Sequence, residues 1–207
     1  MNTTDETPSA EELFQALPPV DQEANRRLHR RLIDDAAAAG ILDVAYRTID
    51  TPVGSLLLAA TEQGLVRVAY PSQGHQQALA KLAALVSPRI LLAPRRLDAV
   101  ALQLDEYFAG HRDRFDLPLD WRLSHGFRRQ VLGCLPRIGY GRTASYAAVA
   151  AAAGNPRAVR AVGTACATNP LPIVVPCHRV VRSDGTMGGY AGGPQAKRAL
   201  LTLEAAA

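Results

Sequence analysis

Three cysteines lie in the 207-residue chain, and one of them sits where a nucleophile could be built. Cys177 is followed at once by His178 and preceded by Asn169-Pro170-Leu171-Pro172-Ile173-Val174-Val175-Pro176. The prolines block a helix and hold an extended backbone, and Ile173 to Val175 form an apolar run suited to burial. The thiol is thus presented from a rigid, packed element. A free thiol titrates near ~8.5, so at neutral pH a base or a positive dipole must shift it towards thiolate. His178 is the adjacent base. Neighbouring side chains on an extended segment point to opposite sides, which favours action through a bridging water over direct contact. A histidine used this way needs a third group to orient it, usually a carboxylate. Beyond residue 123 the chain offers only Asp184 and Glu204. A lone buried cysteine is more often a small hydrophobe than a nucleophile. Cys134 and Cys166, both on expected helices, fit that plainer account.

The odd cysteine count, with no C-x-x-C pair, argues against a disulfide framework. Zinc-type ligand spacings are missing too, and neither metal nor cofactor is expected.

The elements that must hold Cys177 follow from pattern and punctuation. Helices are expected at 125–136, 145–153, 157–168 and 194–204. Ser145 can cap the helix that starts at Tyr146, which ends at Gly154; Asn155 can cap the next, with Pro156 at its first position. Two short helices joined by a Gly-Asn-Pro turn read as a helix-turn-helix. On the second, Val159, Val162 and Cys166 should pack inward, while Arg157, Arg160 and Thr164 share the outer face, the split a DNA-facing helix requires. Charge points the same way. Residues 1–123 hold 13 Lys/Arg and 17 Asp/Glu, a net of −4, whereas residues 124–207 hold 10 and 2, a net of +8. A basic C-terminal portion suits a polyanionic partner.

Upstream, Val44, Tyr46 and Thr48 alternate as in a strand. Leu56–Ala60 and Leu65–Tyr70 read as two more strands, and a short apolar strand is expected near Ile90–Ala93. Helices are expected at about 74–86 and 95–109, and residues 111–123 read as a connector. Residues 9–39 suggest two helices broken by Pro18-Pro19, the second stopping at Gly40 with Arg26, Arg27, Arg30 and Arg31 on a solvated face. The organisation expected is a helical extension over 1–42, an α+β domain over 43–120 and a DNA-binding, catalytic domain over 121–207.

Pro176-Cys177-His178-Arg179-Val180, with its flanks, resembles the active-site motif of the O6-alkylguanine-DNA alkyltransferases, or methylated-DNA–protein-cysteine methyltransferases. The likeness extends to Ser145-Tyr146, Gly154-Asn155-Pro156, Arg160-Ala161-Val162-Gly163, Asn169-Pro170, Gly188-Gly189-Tyr190 and Leu203-Glu204, and to Leu104-Asp105-Glu106-Tyr107-Phe108 upstream. It implies an α+β fold: a ribonuclease H-like N-terminal domain with a three-stranded antiparallel sheet, then a helical, winged-helix-like domain carrying the helix-turn-helix. It also implies direct-reversal repair, with irreversible transfer of an alkyl group from O6-alkylguanine, and from O4-alkylthymine, to Cys177 after base flipping. In that scheme Glu204, His178 and a water draw the proton from Cys177, and Asn169 braces the turn before it. Tyr190 and the main chain of Cys177 and Val180 hold the base, Arg160 fills the gap left in the stack, and Tyr146 presses on the phosphate. Arg157 and Thr164 complete the face towards double-stranded DNA, which the second helix enters through the minor groove. Ala191 stands where the family often has Ser, which removes one hydrogen bond to the substrate oxygen.

A non-catalytic binder of alkylated DNA with this fold would lack the acceptor cysteine. A Cys–His hydrolase would need an oxyanion site, and a plain DNA-binding regulator would not need the Cys-His pair. No apolar run approaches the ~18 residues of a membrane span, and acidic residues Asp5, Glu6, Glu11 and Glu12 occupy the first twenty positions. A cytoplasmic protein, monomeric in solution, is expected.

Overall fold

The computed structural model describes residues 21–205. The helix expected before Pro18 lies outside them. Backbone contacts divide the chain after Ala39. On the first side stands helix α1 (Gln22–Ala38), capped by Asp21, whose carboxylate accepts from the amides of Glu23 and Ala24. Its arginines are exposed as expected, and so are Leu28 and Leu32.

From Gly40 onward the chain builds a four-stranded sheet and then a helical layer. Strands β1 (Val44–Ile49), β2 (Leu56–Thr61) and β3 (Gly64–Ala69) form an antiparallel meander. The expectation of three antiparallel strands is incomplete. After helix α2 (His75–Leu85), strand β4 (Ile90–Leu92) returns to pair parallel with β1, giving the order β3-β2-β1-β4. A helical crossover is what a parallel neighbour needs, and three apolar residues suffice for so short an edge. Val44, Leu57, Ala59, Val66 and Ala69 pack with Ala78 and Leu82 of α2. Leu56, Leu58, Leu65 and Val68, which alternate with them, are also buried. Both sheet faces are therefore covered, which explains the apolar strands.

Helix α3 (Asp98–Phe108) follows, and the connector does more than link. Leu119 bridges to Leu65, Leu65 N–H donates to the Pro118 carbonyl, and Asp120 N–H donates back to Leu65. A Cβ on Gly64, at φ +132°, would stand 2.1 Å from the Pro118 oxygen, so only glycine lets the connector lie against β3. Beyond it come α4 (Gly126–Cys134), the two-residue strand β5 (Ala144–Ser145), α5 (Tyr146–Ala152), α6 (Val159–Ala167), strand β6 (Val180–Val181) and α7 (Gly193–Ala205). Strands β5 and β6 pair in parallel, Ala144 with Val180 and Ser145 with Val181, which sets the start of α5 beside the end of the Cys177 segment. No described helix is long and apolar enough to cross a membrane.

Candidate active site

The Ser145 hydroxyl accepts from the Ala148 amide and caps α5 as its position suggests. The next helix starts later than its sequence implies. Asn155, Pro156 and Arg157 form a turn closed by Ala158 N–H to the Asn155 carbonyl, and α6 begins only at Val159. Asn155 and Pro156 serve the turn and not the cap, and Arg157 is exposed ahead of the helix. Val159, expected to pack inward, is turned outward at the first residue of the helix; Val162, Ala165 and Cys166 form the buried face. Arg160 and Thr164 are exposed on one stripe, and Thr168 continues it at the next turn.

The segment from Asn169 to Cys177 departs from the extended backbone expected of it. It is a series of tight turns, with Val175 N–H donating to Leu171 and Cys177 N–H to Val175. Cys177, His178 and Arg179 form one turn of 3-10 helix. Prolines exclude regular helix but tolerate turns as well as extension, so composition could not separate the two. Asn169, buried, holds the turns together. Its Oδ1 accepts from Leu171 N–H, and its Nδ2 donates both to the Val175 carbonyl (2.9 Å) and to Cys177 Sγ (3.2 Å). Between these anchors Ile173 adopts φ +73°, a conformation that β-branched residues rarely enter. Strain of this kind persists only where surroundings over-determine the backbone, and the Asn169 bracket supplies that constraint.

Cys177 is fully buried, and burial pushes its thiol up to about 11, against the lowering effects of the Asn169 hydrogen bond and the Lys197 charge. At rest the sulfur is therefore protonated. His178 is equally buried, and its Nε2 meets Glu204 Oε1 at 2.8 Å. Burial lowers the imidazole pKa and outweighs the opposing pull of Glu204. Burial alone would raise Glu204, but hydrogen bonds from His178 and Arg179 bring it down to about 2. The pair is thus a neutral imidazole donating to a carboxylate. A carboxylate can only accept, so the ring proton sits on Nε2 and Nδ1 carries the free lone pair. Nδ1 is buried and has no hydrogen-bond partner, and the Cys177 thiol is bonded by Asn169 and not by His178.

Four further residues complete the site, and motif reading missed them. Arg179 donates from Nε and Nη2 to Glu204 and from Nη1 to the Ile138 carbonyl, so it is the carboxylate's counter-charge. Tyr107 O–H donates to Glu204 at 2.7 Å, across from α3. Lys197, fully buried, donates to the Val180 carbonyl at 2.6 Å. Tyr70 meets Tyr190 hydroxyl to hydroxyl at 3.0 Å. Arg179 lies inside the pentapeptide and Tyr107 inside the Leu104–Phe108 likeness, though neither has a role assigned by it; Lys197 and Tyr70 are ordinary residues in the helix or strand patterns. The loop carrying Tyr190 is shaped by rings: Cβ atoms would collide with Tyr146 at Gly188 and with Tyr70 at Gly192, and the Tyr190 ring stands edge-on to those of Tyr70 and His178. The structure thus gathers Cys177, His178, Glu204, Asn169, Tyr190 and Val180 in one buried cluster, with Tyr146 against the Tyr190 loop. Arg157, Arg160 and Thr164 lie on the surface. Asp184, the other carboxylate considered, instead accepts from Thr186 in an exposed turn. Among the described residues no group of three His, Cys, Asp or Glu side chains could hold a metal ion.

Known proteins carry the same two-part plan. Residues 44–121 match the family model for the ribonuclease-like domain of 6-O-methylguanine DNA methyltransferase, and residues 126–206 match the one for its DNA-binding domain. The methylated-DNA–protein-cysteine methyltransferase of Mycolicibacterium paratuberculosis is 40% identical over 161 residues, covering 78% of this chain and 92% of its own length. The constitutive enzyme of that name in Bacillus subtilis is 39% identical, covering 77% and 94%. The crystal structure of Mycobacterium tuberculosis OGT in complex with DNA superposes with a TM-score of 0.68 at 38% identity, covering 78% of this chain and 93% of that one. The chain belongs to the methylated-DNA–protein-cysteine methyltransferase family.

Proposed function

We propose that this chain repairs alkylated DNA by direct reversal, taking the alkyl group of O6-alkylguanine onto Cys177. The observation that carries the reading is the charge arrangement behind the sulfur: a neutral His178 locked by Glu204 into the tautomer whose Nδ1 can accept a proton, next to a thiol that is protonated at rest. A thiol titrating at about 11 is ionised in only about one molecule in 10⁴ at pH 7. Reaction then requires proton removal at the moment of attack. His178 Nδ1 takes that proton through one water, and the imidazolium formed faces the Glu204 carboxylate, which Arg179 and Tyr107 keep ionised and fixed. The sulfur lone pair forms the S–C bond as the C–O6 bond breaks. Its electrons pass to the guanine, which takes a proton in turn. The S–H and O–alkyl bonds are thus exchanged for an S–alkyl bond and a guanine N–H bond. A thioether is a poor leaving group, so each chain acts once.

Cys177 is wholly buried, so a base inside a duplex cannot reach it and must leave the stack. Tyr190 and the main chain of Cys177 and Val180 receive the everted base, with Tyr146 at the edge of that loop. The exposed stripe of α6 enters the minor groove, Arg160 occupies the vacated space, and Arg157 and Thr164 contact the backbone. Minor-groove contact reads bases poorly, which suits a monomeric cytoplasmic protein that scans any sequence. O4-alkylthymine offers the same alkyl–oxygen bond and is a second substrate. The 43–120 and 121–207 parts divide the work, the second carrying sulfur and DNA face.

Replacing Cys177 with Ala tests this directly. The variant should bind alkylated duplex as the parent does and transfer nothing; residual transfer would place the acceptor elsewhere.

A further inference from the structure

Away from the sulfur, a cleft of about 290 Å³ opens where β3, α2, α4 and the end of α6 meet. Its lining includes Arg67, Lys81 and Arg128, the amide of Gln73 and the hydroxyl of Thr168, and no acidic residue. Arg67 Nε is buried without a hydrogen-bond partner. The nearby Arg128 charge, on top of burial, disfavours its protonated form. Several other guanidiniums among the described residues are answered by carboxylates, including the buried Arg179 by Glu204 and the half-buried Arg47 by Asp98 and Arg112 by Glu106. No ion pair involves Arg67, Lys81 or Arg128 among the described residues. Two guanidiniums that repel each other in a partly buried cleft, with no carboxylate between them, are costly unless an anion joins them. Planar N–H forks beside a side-chain amide donor suit tetrahedral oxyanions.

We propose that Arg67, Arg128 and Lys81 form a phosphate-binding cleft, which a backbone phosphate of the bound duplex fills during repair. Position favours that source. Thr168 lines the cleft and lies on the stripe of Arg160 and Thr164, at spacings of four residues, so the outward face of α6 runs straight into it. A strand laid along α6 brings its next phosphates to the cleft, and β3 and α2 of the sheet layer thereby join the DNA footprint. The choice of DNA as source rests on the function proposed above; the cleft as a phosphate site does not.

The test uses the full chain with Arg67→Gln and Arg128→Gln combined, and Lys81→Gln separately, since Lys81 is exposed and its loss cannot unfold the protein. Three readouts are needed: the salt dependence of affinity for unmodified duplex, binding of inorganic phosphate followed by amide chemical shifts, and alkylation by free O6-benzylguanine. A lost phosphate contact should lower the slope of log K against log salt by about 0.9. Affinity should drop about five- to tenfold whatever the sequence, and the free-base reaction should be unchanged. If the variants abolish phosphate shifts at the cleft but leave duplex affinity intact, the phosphate site stands and its source is a free anion. If neither phosphate binding nor the salt slope responds, the proposal is overturned. A parent protein inert towards the free base would refute the alkyltransfer reading instead, without touching the cleft.

Discussion

Replacing Glu204 with Gln removes one charge from the most densely bonded group in the site and changes its shape little. The carboxylate is 2% exposed and accepts from Tyr107, His178, Arg179 and, at 3.3 Å, the Gly141 amide. Its pKa of about 2 lies far enough below the ordinary 4.5 to correspond to about 3 kcal/mol in favour of the ionised form. Loss of one partner from a buried ion pair, which here strands Arg179, costs about 3–5 kcal/mol by general experience. The two figures agree in size. The variant should therefore lose about 3 kcal/mol at pH 7 in urea unfolding. The sign with pH follows from the same shift. A depressed carboxyl stabilises the fold fully above about 4.5, and that stability drains away as pH falls towards 2. His178, lowered by burial, adds a loss that begins below its ordinary 6.5, because the unfolded chain takes up the proton more readily. The parent should weaken steadily from pH 6.5 downward, and the variant should lack the portion below 4.5. Its amide also no longer dictates which His178 nitrogen holds the proton, so alkyl transfer should slow by at least about tenfold. A variant within 1 kcal/mol of the parent, or one with an unchanged acid limb, would refute the claim that Glu204 is a buried, ionised anchor.

Further outcomes follow from other contacts. Asn169→Ala removes the donor to the sulfur and the brace across Ile173; the thiol should titrate higher still, read by thiol alkylation against pH, with about 1–3 kcal/mol of stability lost. Arg160→Ala should slow repair of duplex much more than reaction with the free alkylated base, and equal losses would argue against base extrusion. Tyr70→Phe keeps the ring packed over Gly192 but leaves the buried Tyr190 hydroxyl unpaired, so about 1–3 kcal/mol of stability should go and the rate with duplex should fall, and Ala at this position should cost more than Phe. Thiol burial sets an alkaline limit: a thiol raised in the fold loses its contribution to stability as pH climbs from about 8.5 to about 11, visible as falling thermal stability over that range.

Much of this was legible in the residues themselves. The Pro-Cys-His-Arg-Val pentapeptide with its flanks, and not the Cys-His pair alone, points to nucleophilic chemistry, and the scarcity of carboxylates past residue 123 leaves Asp184 and Glu204 as the orienting group. Helix ends marked by Ser145 and the strands β1 to β3 were placed within a residue or two. What escaped was what long-range pairing decides. Strand β4 joins β1 because the crossover α2 carries it there, which three apolar residues cannot declare. Pro172 and Pro176 exclude helix but do not choose between extension and turns; the Asn169 side chain makes that choice. Pro156 has the look of a first helical residue, yet the turn from Asn155 keeps it outside. Tyr107, Lys197 and Tyr70 sit on elements whose pattern is fully explained by packing, so only the fold reveals that their polar tips point at Glu204, Val180 and Tyr190.

The mass of the intact chain after mixing with excess duplex containing O6-methylguanine tests the central claim most directly. One added methyl per polypeptide is predicted, lodged on the peptide that holds Cys177, with no further lesion consumed once every chain is marked. Lesions removed beyond one equivalent, or removed while Cys177 keeps its free thiol, would contradict it.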